Sequence, residues 1–130
     1  MKYLFFILPT LFSFQTPSVW CEEVDYLELL KRDGLYYKNF SEEPFTGTSV
    51  GEWRGEVIKG KEQGTWTIWY DNGKLESRVT YKDGKLEGPY EWYSENGQLA
   101  GRGRFQNGKQ VGKWEYYKKD GTLDRVENVE

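Results

Sequence analysis

The chain has 130 residues, enough for one small domain, and aromatic side chains make up 18% of it. Eighteen Lys and Arg residues against 21 Asp and Glu residues give a formal charge of −3, which argues against a dedicated nucleic-acid-binding protein. The absence of His and the single Cys exclude His-dependent catalytic triads, His or Cys zinc sites and an intrachain disulfide. We therefore expect no cofactor, no metal ion and no nucleic-acid partner.

The first 21 residues have the pattern of a secretory signal peptide. Lys2 supplies a positive charge, and residues 3–14 form an apolar run that is too short to span a bilayer. Cleavage is possible after Ser18 or after Cys21, and the sequence does not choose between them. A lipid anchor at Cys21 is disfavoured, because Trp20 stands where a small residue is usual. The pattern predicts an exported protein, whether periplasmic, cell-envelope or secreted; the alternative is an apolar segment that stays and packs on the domain.

Residues 22–33 carry the signals of a short helix. Val24, Leu27 and Leu30 recur at intervals of three, acidic residues open the segment and basic residues close it. Gly34 follows as a plausible residue after the helix end. We predict a short N-terminal helix that plugs one end of a sheet.

A 24-residue repeat dominates the rest of the chain. Gly-Lys recurs at Gly60, Gly84 and Gly108, and glycines, aromatics, Asn-Gly or Asp-Gly and Leu follow at fixed offsets. Such self-similarity indicates stacked supersecondary units. The predicted domain spans residues 34–130, with a divergent unit at 34–59 and regular units at 60–83, 84–107 and 108–130.

Each unit is predicted to be a β-hairpin, so the fold class is an all-β antiparallel meander. Asn-Gly and Asp-Gly favour two-residue type I′ turns, here at Asn72-Gly73, Asn96-Gly97 and Asp120-Gly121. Period-two alternation then pairs Tyr70 with Leu75, Ile68 with Ser77 and Trp66 with Val79. The same register in the next unit places Tyr90 opposite Gly103 and Trp92 opposite Gly101, as large rings covering strand glycines.

Alternation also separates the aromatic side chains by face. We predict a core face that comprises Trp66, Ile68, Leu75, Val79, Tyr81, Leu86, Tyr90, Trp92, Leu99, Phe105, Trp114 and Tyr116. Trp69, Tyr93 and Tyr117 point to the opposite face, one per hairpin and roughly 10 Å apart. With Glu91 and Glu115 beside them, these residues are the candidate binding site; the alternative is a stripe that only stabilises the sheet.

Two other sets of residues have simpler explanations. Glu91 and Glu115 could form a catalytic carboxylate pair, but their separation of roughly 10 Å exceeds the 6.5–9.5 Å of an inverting glycosidase pair. We interpret them as solvated carboxylates that face Arg78 and Arg102, so an enzyme is not expected. The row of Lys61, Lys85 and Lys109 at the turns could contact lipid head groups, although turn lysines also keep sheets soluble.

The motif Gly-Lys-x-x-Gly-x-Trp/Tyr-x-x-Trp/Tyr followed by Asn/Asp-Gly-x-Leu resembles the MORN repeat variant over roughly residues 34–125. Bacterial proteins with such repeats are often labelled YwqK-like antitoxins of toxin–antitoxin systems, and MORN repeats are also linked to scaffolding and lipid contact. An exported protein could not neutralise a cytosolic toxin. The resemblance and the signal peptide predict an exported, non-enzymatic β-repeat module that binds another protein, antitoxin-like or as a cell-envelope scaffold; the alternative is a carbohydrate- or lipid-headgroup-binding surface module.

Overall fold

The structure is a computed structural model that describes residues 21–130. The predicted signal peptide therefore lies outside the described residues, apart from Cys21. The described chain forms eleven strands and one 3₁₀ turn at Tyr26–Glu28. The strands are β1 (Glu23–Asp25), β2 (Leu29–Arg32), β3 (Leu35–Lys38), β4 (Gly47–Val50), β5 (Trp53–Ile58), β6 (Lys61–Trp69), β7 (Leu75–Lys82), β8 (Lys85–Tyr93), β9 (Leu99–Gln106), β10 (Lys109–Tyr117) and β11 (Leu123–Val129).

Nine strands form one sheet in the order β1-β4-β5-β6-β7-β8-β9-β10-β11. β1 lies parallel to β4, and every later neighbour is antiparallel. β2 and β3 make a separate two-stranded hairpin. From β4 onward each strand pairs with the next one along the chain, which confirms the predicted all-β meander.

The turns between strands are of two kinds. Asp83-Gly84 and Asn107-Gly108 have positive φ at both residues and join their strands as two-residue turns. At Asn72-Gly73, by contrast, only the glycine has positive φ. The loop there has three residues, closed by hydrogen bonds between Tyr70 and Lys74 and between Gly73 and Tyr70. The type I′ turns predicted at Asn72-Gly73, Asn96-Gly97 and Asp120-Gly121 are therefore wrong, because the loop takes one more residue.

The longer loop is accompanied by a bulge in every unit. Ile68 pairs with Ser77 as predicted, but Trp69, not Tyr70, pairs with Leu75, which leaves Glu76 as an extra residue on β7. Directly paired residues share a face, so Leu75 joins the face of Trp69. Equivalent bulges place Leu99 opposite Tyr93 and Leu123 opposite Tyr117. The prediction that Leu75 and Leu99 belong to the core face is thus wrong.

The same bulge brings Glu76 toward the core face. Burial, followed by the carboxylate of Glu76, raises the pKa of Tyr70 and of Tyr90. Tyr90 belongs to the core-face aromatics, since it contacts Trp114 with ring centroids 6.0 Å apart. The electrostatic influence of Glu76 on Tyr90 agrees with the face change that the register requires.

The helix predicted for residues 22–33 is wrong, although the segment does cover one end of the sheet. One 3₁₀ turn connects β1 to β2, and Asp33-Gly34 closes the β2–β3 hairpin with positive φ at both residues. Leu29 is buried, whereas Leu27 is 83% exposed, so the predicted helical stripe is not the buried one. Strand pairing satisfies the backbone here, while a helix of this length is marginal without packing of its apolar face.

The core lies where the β2–β3 hairpin packs on the sheet. Its buried members are Val24, Leu29, Tyr36, Phe45, Val57, Trp66, Ile68 and Val79. Backbone hydrogen bonds from Tyr36 to Gly60 and from Phe45 to Tyr36 hold the hairpin in place. Toward the C-terminal end, buried Trp114 is surrounded by aromatics that stay partly exposed. The predicted core face is therefore correct for its aromatic ladder, and the N-terminal segment adds to it.

Candidate interaction surface

An apolar row runs across the face opposite the core. It combines the predicted Trp69, Tyr93 and Tyr117 with the three leucines that the bulges bring to this face. We call these residues the aromatic–leucine row: Trp69, Leu75, Tyr93, Leu99, Tyr117 and Leu123. They lie on six successive strands, β6 to β11, so at about 4.8 Å per strand the row is about 24 Å long. Its three aromatics are half-buried, and Leu123 is exposed.

A charged row lies beside it on the same face. Cross-strand register places Arg78 opposite Glu91, Glu91 opposite Arg102, and Arg102 opposite Glu115. Arg78 approaches Glu91 to 3.9 Å, and Arg102 forms an ion pair with Glu115. The predicted pairing of both glutamates with these arginines is confirmed. Charges of alternating sign thus follow the edge of the apolar row.

Hydrogen bonds tie the two rows together. The Tyr93 hydroxyl donates to Glu91 over 2.9 Å, and the Tyr117 hydroxyl donates to Glu115 over 3.0 Å. Hydrogen bonds from Lys113, Arg102 and Tyr117 lower the pKa of Glu115 to about 2. A carboxylate held ionised in this way is an acceptor at neutral pH and a poor proton donor. The geometry of Glu115 therefore suits recognition of a polar group better than acid–base chemistry.

Trp69 differs from the other two aromatics of the row. The Arg54 guanidinium lies 5.8 Å from its ring centroid, and its buried Nε1 has no hydrogen-bond partner in the described part of the chain. Trp69 also lines an open cavity of about 470 Å³ between the 3₁₀ turn and the β6–β7 loop. Asp25 and Trp53 line the same cavity. The row therefore begins at a concave surface and continues over a flatter sheet.

A second cavity, of about 400 Å³, lies on the core face and was not predicted. Its walls include Tyr26, Tyr36, Trp53, Trp66 and Tyr81, and it contains the carboxylate of Glu62. The Glu62 side chain is only 8% exposed. One signal in the sequence could have revealed it, because the equivalent repeat positions hold Leu86 and Gln110. A charge at a core-facing repeat position marks an exception to the pattern.

The predicted lysine row lies at the ends of the strands opposite to Trp69, Tyr93 and Tyr117. Lys61, Lys85 and Lys109 are exposed and are the first residues of β6, β8 and β10. Acidic groups lie among them, since Asp83 and Glu87 line the same surface depression as Lys61 and Lys85. This edge of the sheet therefore carries charges of both signs, and it attracts an anionic surface less strongly than a row of lysines alone would.

The family model for the MORN repeat variant matches residues 62–83 and 86–107. Residues 62–107 of this chain are therefore similar to MORN repeats. These two segments fall in the first two regular units, and the third unit repeats the same residues at the same offsets. MORN repeats are generally non-catalytic modules for protein or membrane interaction. No curated protein and no solved structure matches the chain.

Two properties of the described residues concern metal ions and membranes. Among residues 21–130 no group of three or more His, Cys, Asp or Glu side chains is arranged to hold a metal ion. Within the same residues, no helix has the length and hydropathy needed to cross a membrane.

Proposed function

We propose that the protein is an exported, non-enzymatic MORN-repeat module that binds a segment of another protein along the aromatic–leucine row. The continuity of this row over six strands is the observation that carries the proposal. A surface about 24 Å long accommodates roughly seven residues of extended chain or sixteen of helix. Repeats supply such a surface by adding one aromatic and one leucine with each hairpin.

The chemistry of the row favours a protein partner. Tyr and Trp bury a large area and have few rotatable bonds, so ordering them on binding costs little entropy. Hydrogen bonds to Glu91 and Glu115 already hold the rings of Tyr93 and Tyr117. The charged row beside them provides Arg78 and the ionised Glu115 for polar contacts at the rim of an interface.

Export rests on the N-terminal pattern. Residues 3–14 form the apolar run of a signal peptide, and cleavage would leave a mature protein beginning near Val19 or Glu22. N-terminal sequencing of the native protein tests this: an intact Met1 contradicts export. Phe6→Asp, which places a charge in the run, should hold the precursor in the cytoplasm.

A paired mutation separates binding from stability. Trp69→Ser with Tyr93→Ser removes two rings of the row, while Phe40→Ser removes a fully exposed aromatic that lies outside it. Wild type and variants would be used to capture proteins from the native cell envelope, and mass spectrometry would compare the captured sets. We expect a partner that wild type and Phe40→Ser retain and the double variant loses, with the melting temperature lowered by only a few degrees.

Two outcomes would contradict the role of the row. If a folded double variant retains the partner, the row does not bind it. If binding falls only in proportion to unfolding, the rings serve packing alone. Retention on glycans or on anionic vesicles that requires the row, without a protein partner, would favour the alternative of a carbohydrate- or lipid-headgroup-binding surface.

The cellular compartment then decides between the two finer roles. An exported module meets partners in the envelope or outside the cell, which suits a scaffold. An antitoxin-like role requires the protein to reach its toxin in the same compartment, so it needs either a cytoplasmic precursor or an exported toxin. Fractionation of the native protein, together with the identity of the captured partner, separates these roles.

A further inference from the structure

Glu62 is a nearly buried carboxylate with one loose partner. Its side chain is 8% exposed, and the nearest cation, Lys31 Nζ, lies 3.9 Å from Oε1. The Tyr36 hydroxyl is a second polar group near the carboxylate, since Glu62 contributes to the raised pKa of Tyr36. Burying a charge is costly unless it is closely paired. The carboxylate is therefore free to take a better partner than Lys31.

Aromatic rings line part of the open cavity beside this carboxylate. Tyr26 stacks on Trp53 with ring centroids 5.0 Å apart and meets Trp66 edge-on at 6.0 Å. Trp66 in turn meets Tyr81 edge-on at 6.0 Å. Together with Tyr36 these rings line the cavity of about 400 Å³ that contains Glu62. Ring faces carry negative electrostatic potential, so the walls and the carboxylate act in the same direction.

Lys31 places the chain's own ammonium group at this cavity. Lys31 Nζ lies 4.7 Å from the centroid of the Tyr36 ring and 3.5 Å from the Tyr36 hydroxyl. The Lys31 side chain is half-exposed and its contact with Glu62 is longer than a hydrogen bond. A flexible, well-hydrated lysine held so loosely can move into solvent at little cost. Lys31 therefore indicates where a cation can bind in the cavity, and it leaves room for another one.

We propose that this cavity binds a quaternary or otherwise alkylated ammonium group, with Glu62 as counter-ion and Tyr26, Trp53, Trp66 and Tyr81 as aromatic walls. Such cations are weakly hydrated and are recognised by aromatic cages. A metal ion would require several oxygen ligands, whereas the walls are rings and one carboxylate. Glu62 disfavours an anion, although Lys31 and Lys85 also line the cavity. Lys85 at the mouth is exposed, so solvent screens its charge.

This site lies on the face of the sheet opposite to the aromatic–leucine row, although Trp53 also lines the cavity at which that row begins. Either a free ammonium compound or the head group of a choline lipid could supply the ligand, because both present the same cation. Choline and its neutral analogue 3,3-dimethylbutan-1-ol differ in the charge of an otherwise similar group. Their comparison therefore measures the contribution of the positive charge.

The full chain would be titrated with both compounds while tryptophan fluorescence is recorded, since Trp53 and Trp66 line the cavity. We expect saturable binding of choline at least tenfold tighter than that of the neutral analogue. Glu62→Gln keeps the side-chain shape and should remove this preference. Glu56→Gln makes the same charge change at an exposed position and should preserve it. Lys31→Met should tighten choline binding at least twofold, because it removes the internal competitor.

Three results would overturn the proposal: equal affinity for choline and the neutral analogue, unchanged preference in folded Glu62→Gln, or weaker choline binding in Lys31→Met. If Glu62→Gln does not fold, the affinities of the wild-type chain for the two compounds still test the proposal. Competition by phosphatidylcholine vesicles, but not by phosphatidylglycerol vesicles, would assign the ligand to a lipid head group. Choline binding without such competition would assign it to a free compound.

Discussion

Substituting Gly103 by alanine should disrupt the aromatic ladder at its C-terminal end. A Cβ atom at Gly103 would lie 2.2 Å from Cδ2 and 2.3 Å from Cε2 of Trp114, well inside van der Waals contact. Trp114 is only 1% exposed, and its ring is in edge contact with Phe105 at 5.2 Å. The indole therefore has no free space into which it could move, and the backbone of β9 must shift instead.

The expected cost follows from the size of this clash. Overpacking a filled core typically costs about 1–3 kcal/mol. Small domains have a total free energy of unfolding of about 5–15 kcal/mol, so the loss is substantial. With about 4–8 °C of melting temperature per kcal/mol, Gly103→Ala should lower the midpoint by about 4–24 °C.

A double-mutant cycle with Trp114→Phe identifies the contact responsible. The phenyl ring is smaller than the indole, so Gly103→Ala should cost less in the Trp114→Phe background than in the wild type. Thermal unfolding followed by circular dichroism would measure all four proteins, with Arg104→Ala as an exposed control on the same strand. A Gly103→Ala melt within about 2 °C of wild type, or an equal cost in both backgrounds, would refute the seating of Trp114 on Gly103.

Three further predictions concern titration and turn geometry. The fold lowers the pKa of Glu115 from 4.5 to about 2, so the stabilising contribution of its carboxylate is present above pH 4.5 and is lost as the pH falls toward 2. The melting temperatures of Glu115→Gln and wild type should therefore differ at pH 7 and converge near pH 2. Burial, followed by the carboxylate of Glu62, raises the pKa of Tyr81 to about 12, so absorbance titration should show this phenol ionising above the usual value of 10. The free energy of unfolding should fall as the pH rises from 10 to 12. Gly97 has a φ of +88° in an open loop, so Gly97→Val should cost at least about 1 kcal/mol in thermal melts, whereas Gly97→Asn, which tolerates this conformation, should retain most of the stability.

The strand order and the aromatic core face were predictable because they depend on local patterns. Period-two alternation correctly pairs Trp66 with Val79 and Ile68 with Ser77. The loops were not predictable in the same way. Asn-Gly suits either a two-residue turn or the last two positions of a three-residue loop, and the dipeptide alone does not distinguish them. The choice changes the face of Leu75, and with it half of the aromatic–leucine row.

The N-terminal segment was mispredicted for a related reason. Gly34 suits the position after a helix end, although Asp33-Gly34 is also a signal for a two-residue hairpin turn. The partner strand Leu35–Lys38 decides between these readings, because pairing with it satisfies the backbone of Leu29–Arg32. Spacing within residues 22–33 contains no information about that partner. Local periodicity therefore does not show which other strand a segment pairs with.

The Glu62 cavity shows how a repeat protein acquires a specific site. Glu62, Leu86 and Gln110 occupy the same position in three units, yet only the first is covered by the β2–β3 hairpin. The hairpin brings Tyr36 against Tyr26 of the 3₁₀ turn, and Tyr26 meets the Trp66 ring edge-on, so one unit gains walls that the others lack. The same hairpin brings Lys31 within 3.9 Å of Glu62 and raises the pKa of Tyr36 through burial and the Tyr26 hydroxyl. The regular units provide an extended surface, and a site for a small cation arises where the terminal segment breaks their symmetry.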